Sequence, residues 1–196
     1  GEKVRLVDIN TPERAHDGAP AEPFAAEATR RLEDLVLGKE VRLEAARKER
    51  DQYGRRLAQV YVGTTWVNGT MSEEGLAVAY TFADNHMRDA DILKLEHTAR
   101  VAKRGLWSHP RWTVKKASAC CAAAEMGMFQ VVEGTVVASG GDKDHIYLNF
   151  GPDYRTDFTV RIARRDGKKY FAKEAGIKDI PKAYVGKQVR VHGMVV

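Results

Sequence analysis

The sequence predicts two small domains, mainly β with some helix (α+β), joined by a linker. Short apolar runs separated by glycine, proline and polar turns recur along the 196 residues, which is typical of short strands. Residues 1–110 carry 17 basic and 18 acidic side chains, a net charge of −1, whereas residues 111–196 carry 15 and 9, a net charge of +6. Residues 113–127 contain Lys, Ala and Ser but no aromatic residue, which favours a linker. We therefore expect domains at 1–112 and 128–196.

Composition excludes several classes of protein. Apolar residues make up 43% and charged residues 30% of the chain, which is the composition of a globular protein and excludes collagen-like and wholly disordered chains. The longest apolar stretch, at 117–124, is far shorter than the ~20 residues that cross a bilayer. The two cysteines, Cys120 and Cys121, are adjacent, so they cannot join two separate elements. The basic excess of the second part favours polyanion binding and an ordinary solvated surface equally.

In the first domain the apolar patterns predict strands followed by a long helix. The run at 3–9 ends at a turn containing Pro12, and later runs predict strands at 41–43, 57–62 and 76–82. Apolar residues at 3–4 spacing predict a helix from Pro23 to Gly38, a short helix from Asn68 to Gly75 and a longer one over 87–104. This order predicts a small α+β barrel.

In the second domain the patterns predict strands at 129–138, 146–150, 158–162 and 188–195, with a helical stretch at 169–175. Several short strands with one helix before the last indicate a five-stranded Greek-key barrel of the OB type. Only four strands are visible, so we expect the closing strand to lie beyond the C-terminus of this chain.

Arg5, Glu13 and Arg55 are the residues that point to chemistry. Arg5 interrupts an apolar strand, and an internal guanidinium needs an anionic partner. Glu13 follows a proline that stiffens its loop, and Arg55 follows Gly54 in a turn. Two guanidiniums can bind phosphate oxygens bidentately, and a carboxylate can orient or deprotonate a water molecule. Together these groups are suited to phosphodiester hydrolysis. The alternative is structural: an internal ion pair between Arg5 and Glu13, with Arg55 on the surface.

Two segments, VRLVDINTPE at 4–13 and DQYGRRL at 51–57, followed by GLA at 75–77 and RGLW at 104–107, resemble the staphylococcal-nuclease (thermonuclease) family over residues 3–109. The resemblance implies a five-stranded OB-like barrel with three helices. It also implies a calcium-dependent phosphodiesterase that acts on single-stranded DNA and RNA. Because many relatives are exported, it further suggests a bacterial periplasmic or extracellular location.

The resemblance assigns roles to particular residues. Arg5 and Arg55 match the phosphate-binding catalytic arginines and Glu13 matches the catalytic glutamate. Tyr53 matches a tyrosine that contacts a terminal phosphate. Tyr80 matches an aromatic residue beside the base, and Phe82 stands in place of a second tyrosine; flat rings there would stack on bases.

The calcium site departs from the family pattern. Its second aspartate corresponds to Asn10 and its backbone carbonyl to Thr11, so one charged ligand becomes a neutral amide, which should weaken binding. The first aspartate belongs to opening strands that precede residue 1, and we expect the natural protein to extend further at its N-terminus. Asp8, two residues before Asn10, is a possible substitute ligand; a solvated aspartate is the alternative.

The second domain also resembles OB-like domains appended to bacterial nuclease-like proteins. Two functions follow from the sequence. The first is a metal-dependent nuclease for single-stranded DNA or RNA. The second is a catalytically impaired nucleic-acid-binding or scaffold module on the same fold.

Overall fold

The computed structural model describes residues 1–16, 18–82, 85 and 87–196. The chain forms two compact units, Gly1–Thr113 and Val114–Val196, each of mixed α and β structure. The strands of the first unit are β1 (Val4–Leu6), β2 (Ile9–Asn10), β3 (Arg42–Arg50), β4 (Arg56–Val62), β5 (Thr65–Trp66) and β6 (Val78–Ala79). Its helices are α1 (Ala25–Val36), α2 (Val67–Glu73) and α3 (Asp89–Val101), followed by single 3₁₀ turns at Gly105–Ser108 and Pro110–Trp112.

The first unit contains two separate strand ladders. In the larger sheet β4 is central: β1 pairs with it in parallel, and β3 and β5 pair with it in antiparallel fashion. The smaller ladder joins β2 to β6. Within the described residues these ladders do not close into the barrel expected from the sequence. The expected strand over 3–9 is interrupted because Asp8 takes a left-handed conformation (φ 64°), which turns the chain between β1 and β2.

The core of the first unit lies between the helices and the strands. Met71 of α2 and Ile92 of α3 are fully buried, and they pack with Val60 of β4 and Ala79 of β6. The expected helices are confirmed, but the strand expected at 76–82 is limited to β6. Helix α3 turns Glu96, 1% exposed, inwards, where Glu96 Oε2 accepts the backbone N–H of Ala79 at 2.7 Å.

Asn68 does not begin α2 as a cap, as the sequence suggested, but lies inside the helix with a fully buried side chain. Its amide donates to the Val7 carbonyl at 2.9 Å and accepts from the Val60 N–H at 2.9 Å. This side chain therefore supplies partners to two backbone groups near the sheet, an interaction that outweighs its preference for a cap position.

The strands of the second unit are β7 (Lys115–Lys116), β8 (Phe129–Thr135), β9 (Ala138–Gly141), β10 (His145–Asn149), β11 (Thr159–Ala163) and β12 (Gln188–Met194). Its helical segments are α4 (Arg164–Asp166), which continues as a π-helix over Gly167–Glu174, and α5 (Ile180–Tyr184), with 3₁₀ turns at Ala117–Ala119 and Ala123–Glu125. One sheet has the order β11-β10-β9 and the other β12-β8-β7. Val136, Leu148 and Ile180 form the centre of its core.

Residues 113–127, expected to be a linker, are largely part of the second unit. Strand β7 runs parallel to β8, with Lys115 opposite Val132. Lys115 forms an ion pair with Glu125, and Ala117 is buried. The backbone pairing and the burial of Ala117 hold this stretch against β8, although its composition resembles that of a flexible segment. No helix among the described residues is both long and apolar enough to cross a membrane.

Gly75 and Gly105 occupy a close crossing of two backbones in the first unit. Gly75 ends α2 with a φ of 70°, and its carbonyl accepts the N–H of Leu106 at 2.8 Å. A Cβ atom on Gly75 would lie 2.3 Å from the Arg104 carbonyl oxygen. Gly38, after α1, has the same φ of 70° but no atom within 4 Å of such a Cβ.

These two glycines make a matched pair for a stability measurement. We expect Gly38→Ala to cost about 1–2 kcal/mol, because only the left-handed conformation is penalised. Gly75→Ala carries the same penalty plus a backbone collision, and we expect about 2–5 kcal/mol. Urea unfolding of both variants measures the difference, and equal losses would contradict the crossing described here.

Candidate active site

The pairing of β1 with β4 brings Arg5 and Arg55 to the same end of the larger sheet. In the parallel pairing Arg5 lies opposite Leu57, and the Arg56 N–H donates to the Lys3 carbonyl at 2.8 Å. Arg55 lies in the turn immediately before β4, next to Arg56, which pairs with Val4. Two arginines 50 positions apart in the sequence thus become neighbours across one pair of strands.

Arg5 is partly buried, and neutral groups hold its guanidinium. Its Nη2 atom donates to the Ile9 carbonyl at 3.2 Å and to Asn10 Oδ1 at 2.7 Å. Burial, followed by the positive charge of Arg55, lowers the pKa of Arg5, whereas the negative charge of Glu13 acts in the opposite direction. The charges of Arg55 and Glu13 are therefore both close enough to Arg5 to act on it.

Asp51 orients Arg55. Its carboxylate accepts the backbone N–H groups of Tyr53 and Arg55, both at 2.9 Å, and the Arg55 Nε–H at 2.6 Å. Burial tends to raise the pKa of Asp51, but the hydrogen bonds from Arg55 and Tyr53 outweigh it and the pKa is lowered. Gly54, with a φ of 74°, completes the turn. Within the described part of the chain, the two terminal nitrogens of Arg55 have no hydrogen bond.

Glu13 lies in the loop after β2, with its side chain exposed. Its backbone is held on both sides by Glu22: the Glu13 N–H donates to Glu22 Oε2 at 2.9 Å, and the Glu22 N–H donates to the Glu13 carbonyl at 2.9 Å. Arg111 Nη2 donates to Glu22 Oε1 at 2.8 Å, and the Trp112 indole donates to the Pro23 carbonyl at 3.1 Å. These contacts position the loop and leave the Glu13 carboxylate exposed.

The sequence also allowed a purely structural role for Arg5, as the partner of Glu13 in an internal ion pair. Among residues 1–16, 18–82, 85 and 87–196, Arg5 and Glu13 do not form an ion pair. Arg5 instead uses neutral acceptors. The internal ion pair between Arg5 and Glu13 that the sequence allowed is therefore not observed.

The aromatic candidates form two groups, Tyr53 beside Arg55 and Tyr80 beside Phe82. The Arg55 guanidinium carbon is 5.4 Å from the centre of the Tyr53 ring, and Tyr53 is 73% exposed. Tyr80 and the exposed Phe82 meet edge to face with ring centres 4.9 Å apart. The Tyr80 hydroxyl is close enough for its charge to influence the pKa of Arg5.

Asn10 and Thr11 do not fit a calcium site by themselves. Both supply neutral oxygens, and Asn10 Oδ1 accepts a hydrogen bond from the positively charged Arg5. A cation at that oxygen would lie against a guanidinium, and calcium sites depend on carboxylate charge for affinity. Asp8 is 2% exposed, and its Oδ2 accepts from Gln59 Nε2 at 2.7 Å and from the Arg88 N–H at 3.1 Å. Asp8 is thus not the solvated aspartate that the sequence suggested.

Sequence reasoning missed Asp51, Glu22 and Arg111. Asp51 could have been found, because an aspartate three residues before a glycine is a common signal for a side chain that caps a turn. Glu22 and Arg111 have no comparable local signal, since Arg111 lies 89 positions from its partner.

Comparison with known proteins is consistent with this geometry. The family model described as "Staphylococcal nuclease homologue" matches residues 3–109, more than half of the chain. The chain belongs to this family. It is 31% identical over 108 residues to the thermonuclease of Staphylococcus hyicus, covering 55% of this chain and 64% of that protein. It is 37% identical over 116 residues to the "Probable endonuclease LCL3" of Candida glabrata, covering 55% of this chain and 44% of that protein.

A third relative is covered more fully. The micrococcal nuclease of Shigella flexneri is 34% identical over 129 residues, which include 59% of this chain and 69% of that protein. The family match ends at residue 109, within the first unit. The whole candidate site lies inside the matched range apart from Arg111.

Glu22 offers a direct test of how the Glu13 loop is held. In Glu22→Ala the Glu13 N–H and the Arg111 guanidinium both lose an acceptor, so we expect faster amide hydrogen exchange at 11–16 and a loss of about 1–3 kcal/mol in the free energy of unfolding. Exchange mass spectrometry and urea unfolding provide the two measurements. Glu27→Ala, an exposed site in the first turn of α1, is the control. Unchanged exchange at 11–16 in Glu22→Ala would show that Glu22 does not hold this loop.

Proposed function

We propose that this chain is a nuclease that hydrolyses phosphodiester bonds in single-stranded DNA or RNA. The proximity of Arg5 and Arg55 carries the proposal. Two like charges brought together in a partly buried place repel each other, and an anion between them removes that penalty. The membership of the chain in a family whose relatives are named as nucleases supports the same conclusion.

In this proposal the two guanidiniums hold the scissile phosphate. Asn10 and Asp51 orient Arg5 and Arg55 from one side, so their remaining N–H groups can donate to the non-bridging phosphate oxygens. A guanidinium binds such oxygens in a planar, bidentate fashion. The same contacts strengthen as negative charge accumulates on the oxygens in the transition state, which lowers the barrier to hydrolysis.

Glu13 is the proposed acid–base residue. Its carboxylate is exposed while its backbone is held by Glu22, an arrangement that allows it to orient and deprotonate a water molecule that attacks phosphorus. A positioned general base typically contributes a ~10²–10⁴-fold increase in rate. The exposed rings of Tyr53 and Phe82, together with Tyr80, could stack on bases without regard to sequence.

We propose that the ladders of the first unit are parts of an OB-like barrel, and that the second unit is a further OB-like domain. The pairing of consecutive strands supports the second assignment: β8 pairs with β12, whereas β9, which follows it after two residues, pairs with β10 in the other sheet. Because only two residues separate them, β8 and β9 together resemble one bent strand that takes part in both sheets. Such a strand is expected of an OB-like barrel, a fold that commonly binds oligonucleotides.

The second candidate is a nucleic-acid-binding or scaffold module with impaired catalysis. The neutral oxygens of Asn10 and Thr11 favour it, because the calcium ion that the resemblance implies would lack a carboxylate there. The set of Arg5, Arg55 and Glu13 favours the enzyme, since binding alone requires no exposed carboxylate beside the arginines.

Digestion of heat-denatured DNA and of RNA distinguishes the two candidates. We expect cleavage of both in the presence of calcium and its loss in the presence of a chelator, if calcium is the ion. Cleavage that persists with chelator would keep the nuclease but remove the metal requirement. Binding of the same substrates without cleavage under either condition would select the binding module.

Glu13→Gln tests the assigned role directly. The amide keeps the shape of the side chain but cannot accept the proton, so we expect kcat to fall by about 10²–10⁴-fold with little change in KM or in the melting temperature. Glu27→Gln is a matched control, because Glu27 is also an exposed carboxylate of the first unit. Turnover within a few fold of the natural protein would refute this role.

A further inference from the structure

A basic cavity of about 490 Å³ lies in the second unit, beside the turn between β9 and β10. Three cationic residues, Arg164, Lys168 and Lys178, line it, against one carboxylate, that of Asp179. Asp179 is already engaged, because its Oδ1 accepts the Lys182 N–H at 3.0 Å at the start of α5. The cavity therefore has an excess of positive charge.

Arg164 is held in place at this cavity. Its Nε–H donates to the Asp142 carbonyl at 2.6 Å, and its guanidinium lies against Gly141. A Cβ atom on Gly141 would lie 2.8 Å from Arg164 Nη2, whereas a Cβ on Gly140 would have no atom within 4 Å. The absence of a side chain at Gly141 thus allows the guanidinium to approach the turn.

The turn itself is well anchored. Asp142 accepts the N–H groups of Asp144 and His145, both at 2.7 Å, and the Tyr147 hydroxyl at 2.7 Å. These hydrogen bonds, that of Tyr147 foremost, lower the pKa of Asp142 to about 2. The anchor is therefore ionised at neutral pH, and the carbonyl that holds Arg164 belongs to a fixed loop.

The two lysines have unused donors. Among the residues the structure describes, the side chains of Lys168 and Lys178 have no hydrogen bond or ion pair. The floor of the cavity includes Ile146 and Ile180, and Gly167 lies close to both, since a Cβ there would be 3.2 Å from the Ile180 side chain. A cationic rim over a small apolar floor suits a phosphate that carries an organic group.

We infer that this cavity binds a backbone phosphate of single-stranded nucleic acid, and so forms an anion site in the second unit. The inference rests on the proposed nuclease function, which supplies the class of ligand. Residues 114–196 carry 14 basic and 9 acidic side chains, a net charge of +5, whereas residues 1–113 carry 18 of each. A membrane surface is a poorer match, because none of the described residues that line the cavity is an exposed large apolar side chain.

The test measures binding of a fluorescein-labelled, 20-nucleotide single-stranded DNA to the full chain carrying Glu13→Gln, with chelator present to prevent cleavage. We expect Arg164→Gln and Lys178→Gln each to weaken binding by about 10-fold, since each removes a charged hydrogen bond to phosphate. Each should also lower the slope of log affinity against log salt by about 0.7, the value for one phosphate contact on a single strand.

Arg165→Gln is the matched control, because it removes the same charge from the adjacent residue, whose side chain is 88% exposed and lies outside the cavity. Equal effects of the three substitutions would overturn the inference and leave only non-specific attraction to a basic surface. Gly141→Ala should weaken binding more than Gly140→Ala; melting temperatures show whether each variant folds. If Arg164→Gln or Gly141→Ala does not fold, the affinities of Lys178→Gln and Arg165→Gln for the DNA are compared instead. Equal affinities would overturn the inference.

Two combinations of the cleavage and binding results separate this inference from the proposed function. If the natural chain cleaves DNA but Arg164→Gln and Lys178→Gln bind it as Arg165→Gln does, the cavity site is refuted and the nuclease stands. If the chain binds but does not cleave, and binding depends on Arg164 and Lys178, the nuclease fails and the cavity site stands. Vesicles containing phosphatidylglycerol form the last arm, and a dependence on Arg164 confined to vesicles would overturn the assignment to nucleic acid.

Discussion

In the first unit Arg5 and Arg55 come close enough for their charges to interact, because a three-residue strand runs parallel to a longer one. The pairing of β1 with β4 sets Arg5 opposite Leu57, and the turn held by Asp51 places Arg55 immediately before β4. The other contacts of the site follow from this constraint. The fold must hold two like charges together, and it does so with acceptors that orient each guanidinium while leaving donors for an anion.

The partners of the two arginines differ in charge. Arg5 contacts a carbonyl and an amide oxygen, whereas Arg55 contacts the carboxylate of Asp51. A carboxylate beside each arginine would neutralise the pair and reduce its attraction for phosphate. Asn10 therefore does more than replace an acidic metal ligand. Its neutral amide oxygen orients Arg5 without cancelling the positive charge of the guanidinium. The residue that leaves the expected calcium site without a carboxylate thus leaves the positive charge of Arg5 uncancelled.

Glu13 illustrates how a loop residue can be exposed and still be positioned. Its backbone, not its side chain, makes the fixing contacts, through Glu22 and the Arg111 guanidinium. The second unit uses a comparable device, since Asp142 fixes a glycine-rich turn whose carbonyl holds Arg164. In both places an acidic side chain accepts hydrogen bonds from backbone N–H groups and from one further side chain, and so fixes the segment that presents Glu13 or Arg164.

Local patterns in the sequence were sufficient for the three helices of the first unit and for the left-handed glycines after two of them, Gly38 and Gly75, because helix periodicity and left-handed caps involve residues only a few positions apart. The third helix ends earlier than Gly105 suggested, at Val101, and Lys103 takes the left-handed conformation there. The local patterns also identified Arg5, Glu13 and Arg55 as candidates. Only the tertiary structure decided that Arg5 contacts Asn10 and not Glu13, that Asn68 is buried within α2, that Lys115 and Lys116 pair with β8, and that Arg111 holds Glu22. These outcomes depend on contacts between segments that are far apart in the sequence. The energy of each contact depends on which side chains the fold brings together, and the residue pattern of one segment does not show which other segment will pack against it.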